Sequence, residues 1–197
     1  MPSNKNAQAI MAAIATDPSK ILGLVIGDCA IEPPGLFMPR GEAKPLPQIR
    51  LPVGMSPPPA PSARYVVVCM DFDAPYPALP CFGPVLHWIQ ADLVVASSSS
   101  DDAAGVVATT LEVADGSSGG RIAEYLSPNP PPGSAPHRYG FYLYEQPEGF
   151  DATQWMARAP GRQGKMGNCK RIRYGLDGWA RKAGLGAIVA ANYFTSN

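Results

Sequence analysis

Residues 65–75 read Tyr-Val-Val-Val-Cys-Met-Asp-Phe-Asp-Ala-Pro. An unbroken apolar run rich in β-branched residues ends in two aspartates and a proline. A run of this length is too short for a core helix and predicts a strand buried on both faces. The carboxylates fall where that strand meets a loop, a place where β scaffolds present binding groups.

Working outward, further extended segments are predicted at 21–26, 48–51, 86–95, 106–113, 121–125, 137–144 and 187–194. The 137–144 segment alternates, with Tyr139, Phe141 and Leu143 on one face and Tyr142 and Tyr144 on the other, which predicts sheet packing for these aromatics. Helices are few. Asn4 or Asn6 caps a short N-terminal helix that Asp17-Pro18 stops, so 1–19 is a helical extension. The small-residue end of that helix, Ala-Ile-Ala at 13–15, also resembles a cleavage site, but the apolar run before it is short and has a single lysine. Asp177 caps a second helix that ends at Gly184. With 20 Gly and 23 Pro in 197 residues, a helical bundle is excluded. The expected fold is mainly β, two packed antiparallel sheets with a few peripheral helices, in a single domain spanning 1–197. The proline-rich stretch 30–64 wraps the core, 97–102 is a polar loop and 115–120 a turn.

Charge narrows the function classes. The formal net charge is zero, so nucleic-acid binding driven by overall charge is excluded. Residues 157–182 nonetheless hold eight basic residues and one acid, Asp177. The simplest reading is a solvated surface; the alternative is a face for an anionic partner, with membrane contact at most peripheral. No apolar run approaches the roughly 18 residues needed to span a bilayer. Cys29, Cys69, Cys81 and Cys169 form no CxxC pair, and four reduced thiols in a cytoplasmic protein are expected. No metal-ligand spacing, Gly-x-Ser-x-Gly elbow or phosphate-binding P-loop occurs, so neither a metal nor a cofactor is expected.

The two histidines sit where loops meet strands: His87 before Trp88, and His137 in His-Arg-Tyr after Pro130-Pro131-Pro132-Gly133. Taken alone, Asp71 and Asp73 read equally as turn formers and His87 as a core histidine. Together, two imidazoles, a carboxylate and rigid prolines suit a pocket that holds a small anion reversibly.

Asp71-x-Asp73-Ala74-Pro75, the interval to His87, then Pro130-Pro131-x-Gly133 and His137-Arg138-Tyr139 resemble the phosphatidylethanolamine-binding protein family, over about residues 20–195 and most like its fungal branch. The resemblance implies a ligand site of Asp71, His87, Pro130, Pro131, His137 and Tyr139, rimmed by Ala74 and Pro75. It implies that Arg138 buttresses the loop through Asp73 or backbone carbonyls. The implied function is a regulatory protein binding a phosphate-bearing headgroup or other small anion, with a kinase or protease as protein partner. The alternative is an enzyme of the same fold acting on a small organic substrate of secondary metabolism, with Asp71, His87 and His137 as acid–base groups. Phe72 stands where the family usually has proline, and Gln90-Ala91-Asp92 suggests a polar turn after the His87 strand. Two further expectations concern the site. Asp71 beside His87 should raise that imidazole's pKa, so that anion affinity falls as pH rises through about 6 to 8. Asp71→Leu should abolish ligand capture and spare the fold.

Overall fold

The computed structural model describes residues 4–96, 100–101, 107–114, 120–157 and 166–197. Its strands are β1 Gly23–Ile26, β2 Cys29–Ala30, β3 Gln48–Arg50, β4 Tyr65–Asp71, β5 Val85–Val95, β6 Ser100–Asp101, β7 Val107–Ala108, β8 Thr110–Val113, β9 Arg121–Ala123, β10 His137–Glu145 and β11 Ile188–Ser196. Four short helices accompany them: α1 Lys5–Ala13, α2 Ala152–Ala157, α3 Asn168–Arg171 and α4 Leu176–Lys182. Nine strands form one antiparallel sheet in the order β11-β10-β4-β5-β8-β3-β1-β2, with β9 also pairing with β5. β6 and β7 pair separately. The remainder of the 97–102 loop, most of the 115–120 turn and Arg158, Arg162 and Lys165 of the basic segment lie outside the described residues.

Why β4 reads as a continuous apolar run is visible in its packing. Every residue from Tyr65 to Asp71 is buried. Val66, Val68 and Met70 share a core with Ala7 and Ile10 of α1 and Leu176 of α4. Tyr65, Val67 and Cys69 face the opposite way, against Leu24, Ile49 and Leu111 from β1, β3 and β8. The period of two thus divides one strand between two cores, and both faces exclude water. The two layers expected are therefore the halves of one strongly curled sheet, whose far strands fold back over its centre.

Tyr142 and Tyr144 join the helical-side core, and Phe141 and Leu143 the other, as the alternation of β10 requires. At the helices, Asn4 sits at the start of α1 without capping its own helix. Its amide nitrogen donates to the Tyr174 carbonyl (3.2 Å) and its amide oxygen accepts from the Asp177 backbone N–H (3.4 Å), which ties α1 to α4. Asp177 lies in the first turn of α4 rather than at its cap, and Gly184 follows the helix with φ +72°, a conformation that favours glycine. The polar turn suggested at 90–92 is reduced to a bulge within β5, where Asp92 takes φ +56° and the register against β4 shifts. β5 continues through it, because Gln146 supplies the missing partners, accepting from Asp92 N–H and donating to Asp92 Oδ1 (2.8 Å each).

Three strand ends define the site. Asp71 closes β4 opposite Val85 of β5 and Tyr139 of β10. Between β4 and β5 the 72–84 loop folds on itself, with Gly83 N–H donating to the Ala74 carbonyl (2.9 Å). A Cβ on Gly83 would lie 2.7 Å from the Phe72 carbonyl oxygen, so this close approach needs glycine.

Candidate functional site

Asp71 is 4% exposed, and both its oxygens are engaged by protein groups. Oδ1 accepts the Asp73 backbone N–H (2.8 Å), and Oδ2 accepts from His137 Nδ1 (2.8 Å). Asp71 therefore pairs with His137, not with His87. Burial pulls the His137 imidazole down, but its bond to Asp71 and the nearby charges of Asp71 and Asp73 outweigh this and raise its pKa. The other ring nitrogen, Nε2, lies 2.9 Å from Ser134 Oγ.

His87 behaves oppositely. Its Nδ1 lies 2.7 Å from the Leu126 carbonyl, which only accepts, so Nδ1 carries the hydrogen and Nε2 of the neutral ring carries a lone pair. Burial, helped by the positive charges of Arg171 and His137, lowers its pKa despite the Leu126 bond and the charge of Asp71. This overturns the expected rise. Pairing with Asp71 was to offset desolvation, but the carboxylate's bond is spent on His137, and the longer-range charge on His87 is too weak.

Around these groups the aromatics form a stack. Tyr139 meets His87 edge-on at 5.1 Å, lies nearly parallel to His137 at 6.4 Å and stacks on Phe194 at 5.3 Å. Asp73 has a structural part. Arg138 grips it through Nε (2.8 Å) and a terminal nitrogen (2.7 Å), and the Arg138 backbone N–H donates to it as well (2.8 Å). Burial opposes the Asp73 charge, yet these bonds hold its carboxyl below the usual aspartate value. This is the buttress expected of Arg138.

A cavity of about 690 Å³ opens at this end of the sheet. Asp71, His87 and Tyr139 line it, with Ala74 and Phe82 on one side. Pro75, Pro130, Pro131 and His137 are absent from its lining. Pro130 is buried and Pro131 half-buried behind the wall, which 125–129 supply instead. His137 does not itself line the cavity but bonds to Asp71 and packs along Tyr139, which do. Ala74 lines the cavity and Pro75 does not.

Three cations that sequence reasoning left out also line it: Arg40, Lys44 and Arg171. Arg171 was counted in a solvated basic segment, yet it is 2% exposed. Its guanidinium donates to the carbonyls of Leu86, His87, Glu124 and Met166, locking α3 against the start of β5. Arg40 comes from the proline-rich wrap and is held by Asn129 Oδ1 (2.9 Å). The only signal for Arg40 and Lys44 was their charge within an otherwise proline-rich, weakly charged stretch. Among the described residues, no group of three or more His, Cys, Asp or Glu side chains is placed to hold a metal ion.

Comparison with known proteins bears on the family and the fold. The family model for phosphatidylethanolamine-binding protein matches residues 33–194. The carboxypeptidase Y inhibitor of Saccharomyces cerevisiae is 28% identical over 130 residues, a match covering 66% of this chain and 58% of the relative's length. The solved structure of carboxypeptidase Y inhibitor complexed with the cognate proteinase superposes with a TM-score of 0.68 at 23% identity, covering 98% of this chain and 93% of the other. The phosphatidylethanolamine-binding protein from Plasmodium vivax gives 0.58 at 14% identity, covering 100% of this chain and 98% of that one. At these identities the solved structures establish the shared fold, and the match over 33–194 establishes that this chain belongs to the phosphatidylethanolamine-binding protein family.

Proposed function

We propose that the protein is a binding and regulatory module whose cavity takes a small phosphate-bearing or carboxylate-bearing anion, and whose surface contacts a protein partner of the protease class. One observation carries the anion reading: Arg40, Lys44 and Arg171 converge on a single cavity that also holds the two buried polar groups Asp71 and His87. Cations around a partly apolar recess attract an anion, and the recess strengthens each contact by excluding water. His87 refines the ligand. Its neutral Nε2 accepts, so a singly protonated phosphate monoester fits best, its hydroxyl donating to His87 and its charged oxygens facing the cations. The protease reading rests on similarity to an inhibitor whose solved complex contains its proteinase.

Titration calorimetry with phosphoethanolamine and inorganic phosphate tests the first part. The double variant Arg40→Ala/Lys44→Ala should weaken binding by roughly tenfold to a hundredfold, the size of one or two charge-assisted bonds. Unchanged affinity would remove the anion site from this cavity. Inhibition assays against carboxypeptidase Y test the second part separately.

An enzymatic reading is favoured by a different observation. A buried imidazole whose Nδ1–H is fixed by a carbonyl and whose pKa is depressed is a general base at neutral pH. Under that reading, replacing His87 abolishes turnover of a small organic acid while leaving its binding nearly unchanged.

A further inference from the structure

Asp71, which lines the cavity, also begins a hydrogen-bonded chain that runs through His137 to Ser134, outside the cavity lining and unused by the cavity reading. Asp71 Oδ2 accepts from His137 Nδ1 at 2.8 Å, and His137 Nε2 lies 2.9 Å from Ser134 Oγ. We propose that Ser134 is a nucleophile activated by His137 and positioned through Asp71, and that it reacts with small activated acyl esters and organophosphorus electrophiles arriving from solvent. A serine, a base within hydrogen-bond reach and a carboxylate orienting that base are the arrangement that activates a hydroxyl, and it is recognised by geometry rather than by sequence motif. The absence of a Gly-x-Ser-x-Gly elbow therefore does not count against it.

The surroundings suit an open site. His137 is 1% exposed and fixed between Asp71 and the Tyr139 ring, so the base does not move. Ser134 is half-buried on a turn whose backbone is anchored by its own N–H to the Pro131 carbonyl (3.1 Å). Its neighbour Gly133 has φ +78° and open space where a side chain would stand, which leaves room beside the hydroxyl. Ala135 and Pro136 on the other side are exposed.

Proton placement decides when the serine is active. Ser134 Oγ is also 2.9 Å from the Ala135 carbonyl. When His137 is an imidazolium, Nε2–H donates to Ser134 and the hydroxyl donates to Ala135. When the ring is neutral, the hydroxyl proton turns to Nε2 and the oxygen lone pair is freed. Burial opposes the imidazolium, while Asp71 and Asp73 from β4 and its loop and the Pro75 backbone stabilise it, and Arg138 and Tyr139 follow it on β10. The reactive form therefore appears as pH rises through the His137 pKa. In the acyl step, Ser134 Oγ bonds to the carbonyl carbon as its proton passes to Nε2. The leaving group departs with the carbonyl–leaving-group electron pair and takes the proton from Nε2. Water then repeats the sequence and releases the acid.

The test is labelling of the full chain with a fluorophosphonate, followed by peptide mass spectrometry. Ser134 Oγ attacks phosphorus, fluoride leaves, and the proton goes to solvent through His137. The expected result is an adduct at Ser134, lost in Ser134→Ala and slowed about a hundredfold in His137→Gln, the size of a missing general base. The wild-type rate should rise with pH, inflect and reach a plateau, and Asp71→Asn should move the inflection to lower pH. Ser19 and Ser127 in the same digest are internal references. No adduct at Ser134, labelling no faster than at those two serines, or a rate that climbs with pH without a plateau each overturns the proposal. The wild-type pH profile decides the matter even where His137→Gln fails to fold. Ser134→Ala should leave inorganic phosphate binding in the cavity unchanged, so failure of the nucleophile and failure of the anion site are separate results.

Discussion

Replacing Asp71 with leucine should destabilise the protein by about 3–5 kcal/mol, the cost of removing one partner from a buried ion pair. This reverses the expectation that such a change spares the fold. A loop-end carboxylate carries little packing, but Asp71 is 4% exposed and satisfies two donors. Leucine leaves His137 Nδ1–H and the Asp73 N–H without acceptors, in a place where His137 itself is 1% exposed. Each buried donor left bare costs about 1–3 kcal/mol, more where the donor is charged. For a chain of this size 1 kcal/mol moves the melting point by about 2–4 °C, so a fall on the order of 10 °C is expected. Asp71→Asn keeps one acceptor and should lose about half as much. Urea titrations at fixed pH measure both, read as a shift in midpoint at constant slope. A loss below about 1 kcal/mol for leucine, the ordinary size of an exposed pair, would refute the structural role assigned here.

Acidification should act on the two histidines in opposite directions. His137, raised above 6.5, contributes stability that is complete below 6.5 and fades as pH rises through its folded value; His87, lowered below 6.5, contributes stability that is complete above 6.5 and fades as pH falls through its folded value. The wild-type profile should thus peak near 6.5 and fall on both sides, and Asp71→Asn should remove the fall on the alkaline side and so move the optimum toward higher pH, measured by melting across that range. Asp73 has a lowered pKa, so its contribution persists above the ordinary aspartate value of 3.8 and fades as pH falls through the folded value; Asp73→Asn should flatten the acid limb of the same profile. Arg171→Met keeps the bulk of the side chain but strips the Leu86, His87 and Glu124 carbonyls of a donor. It should cost about 2–4 kcal/mol in urea titration and loosen α3.

Much of this architecture was legible in the chain because burial periodicity is a local signal. The 65–70 run, the 137–144 alternation and the terminal strand each announce their packing through residue type alone, and β4, β10 and β11 lie within two residues of the boundaries read for them. The curl was not legible. A strand buried on both faces looks the same whether its second cover is a separate sheet or the far end of its own. The site residues divide the same way. Asp71, His87 and Tyr139 follow from motif and register, and they line one cavity. Arg171 did not follow, because a basic run looks solvated until tertiary contacts supply four carbonyls to one guanidinium. Pro130 and Pro131 are not in the cavity lining, and a proline pair specifies a stiff turn without fixing which side of it faces a cavity.

The pairing within the site carries the most consequence for function. Two histidines and one carboxylate admit two pairings, and sequence spacing does not choose between them. The sheet does, because Asp71 and Tyr139 are register partners, and that places the β10 end, with His137, against the carboxylate. Once Asp71 is committed to His137, His87 has no hydrogen-bonded counter-ion, and burial lowers its pKa. The same commitment gives His137 a raised pKa and turns its second nitrogen away toward Ser134. A single strand register thus separates the histidines into one lining the cavity with a lowered pKa and one outside the lining with a raised pKa. Anion affinity should consequently increase as pH falls toward the phosphate's own second ionisation at about 6, where the ligand carries the proton that His87 Nε2 accepts, rather than through charging of His87 across about 6 to 8. Titrating the His87 ring protons by NMR with and without phosphate checks this directly: phosphate should raise the His87 midpoint and leave that of His137 nearly unmoved. A larger shift at His137 would place the anion on the other side of the carboxylate and reverse the assignment of the two rings.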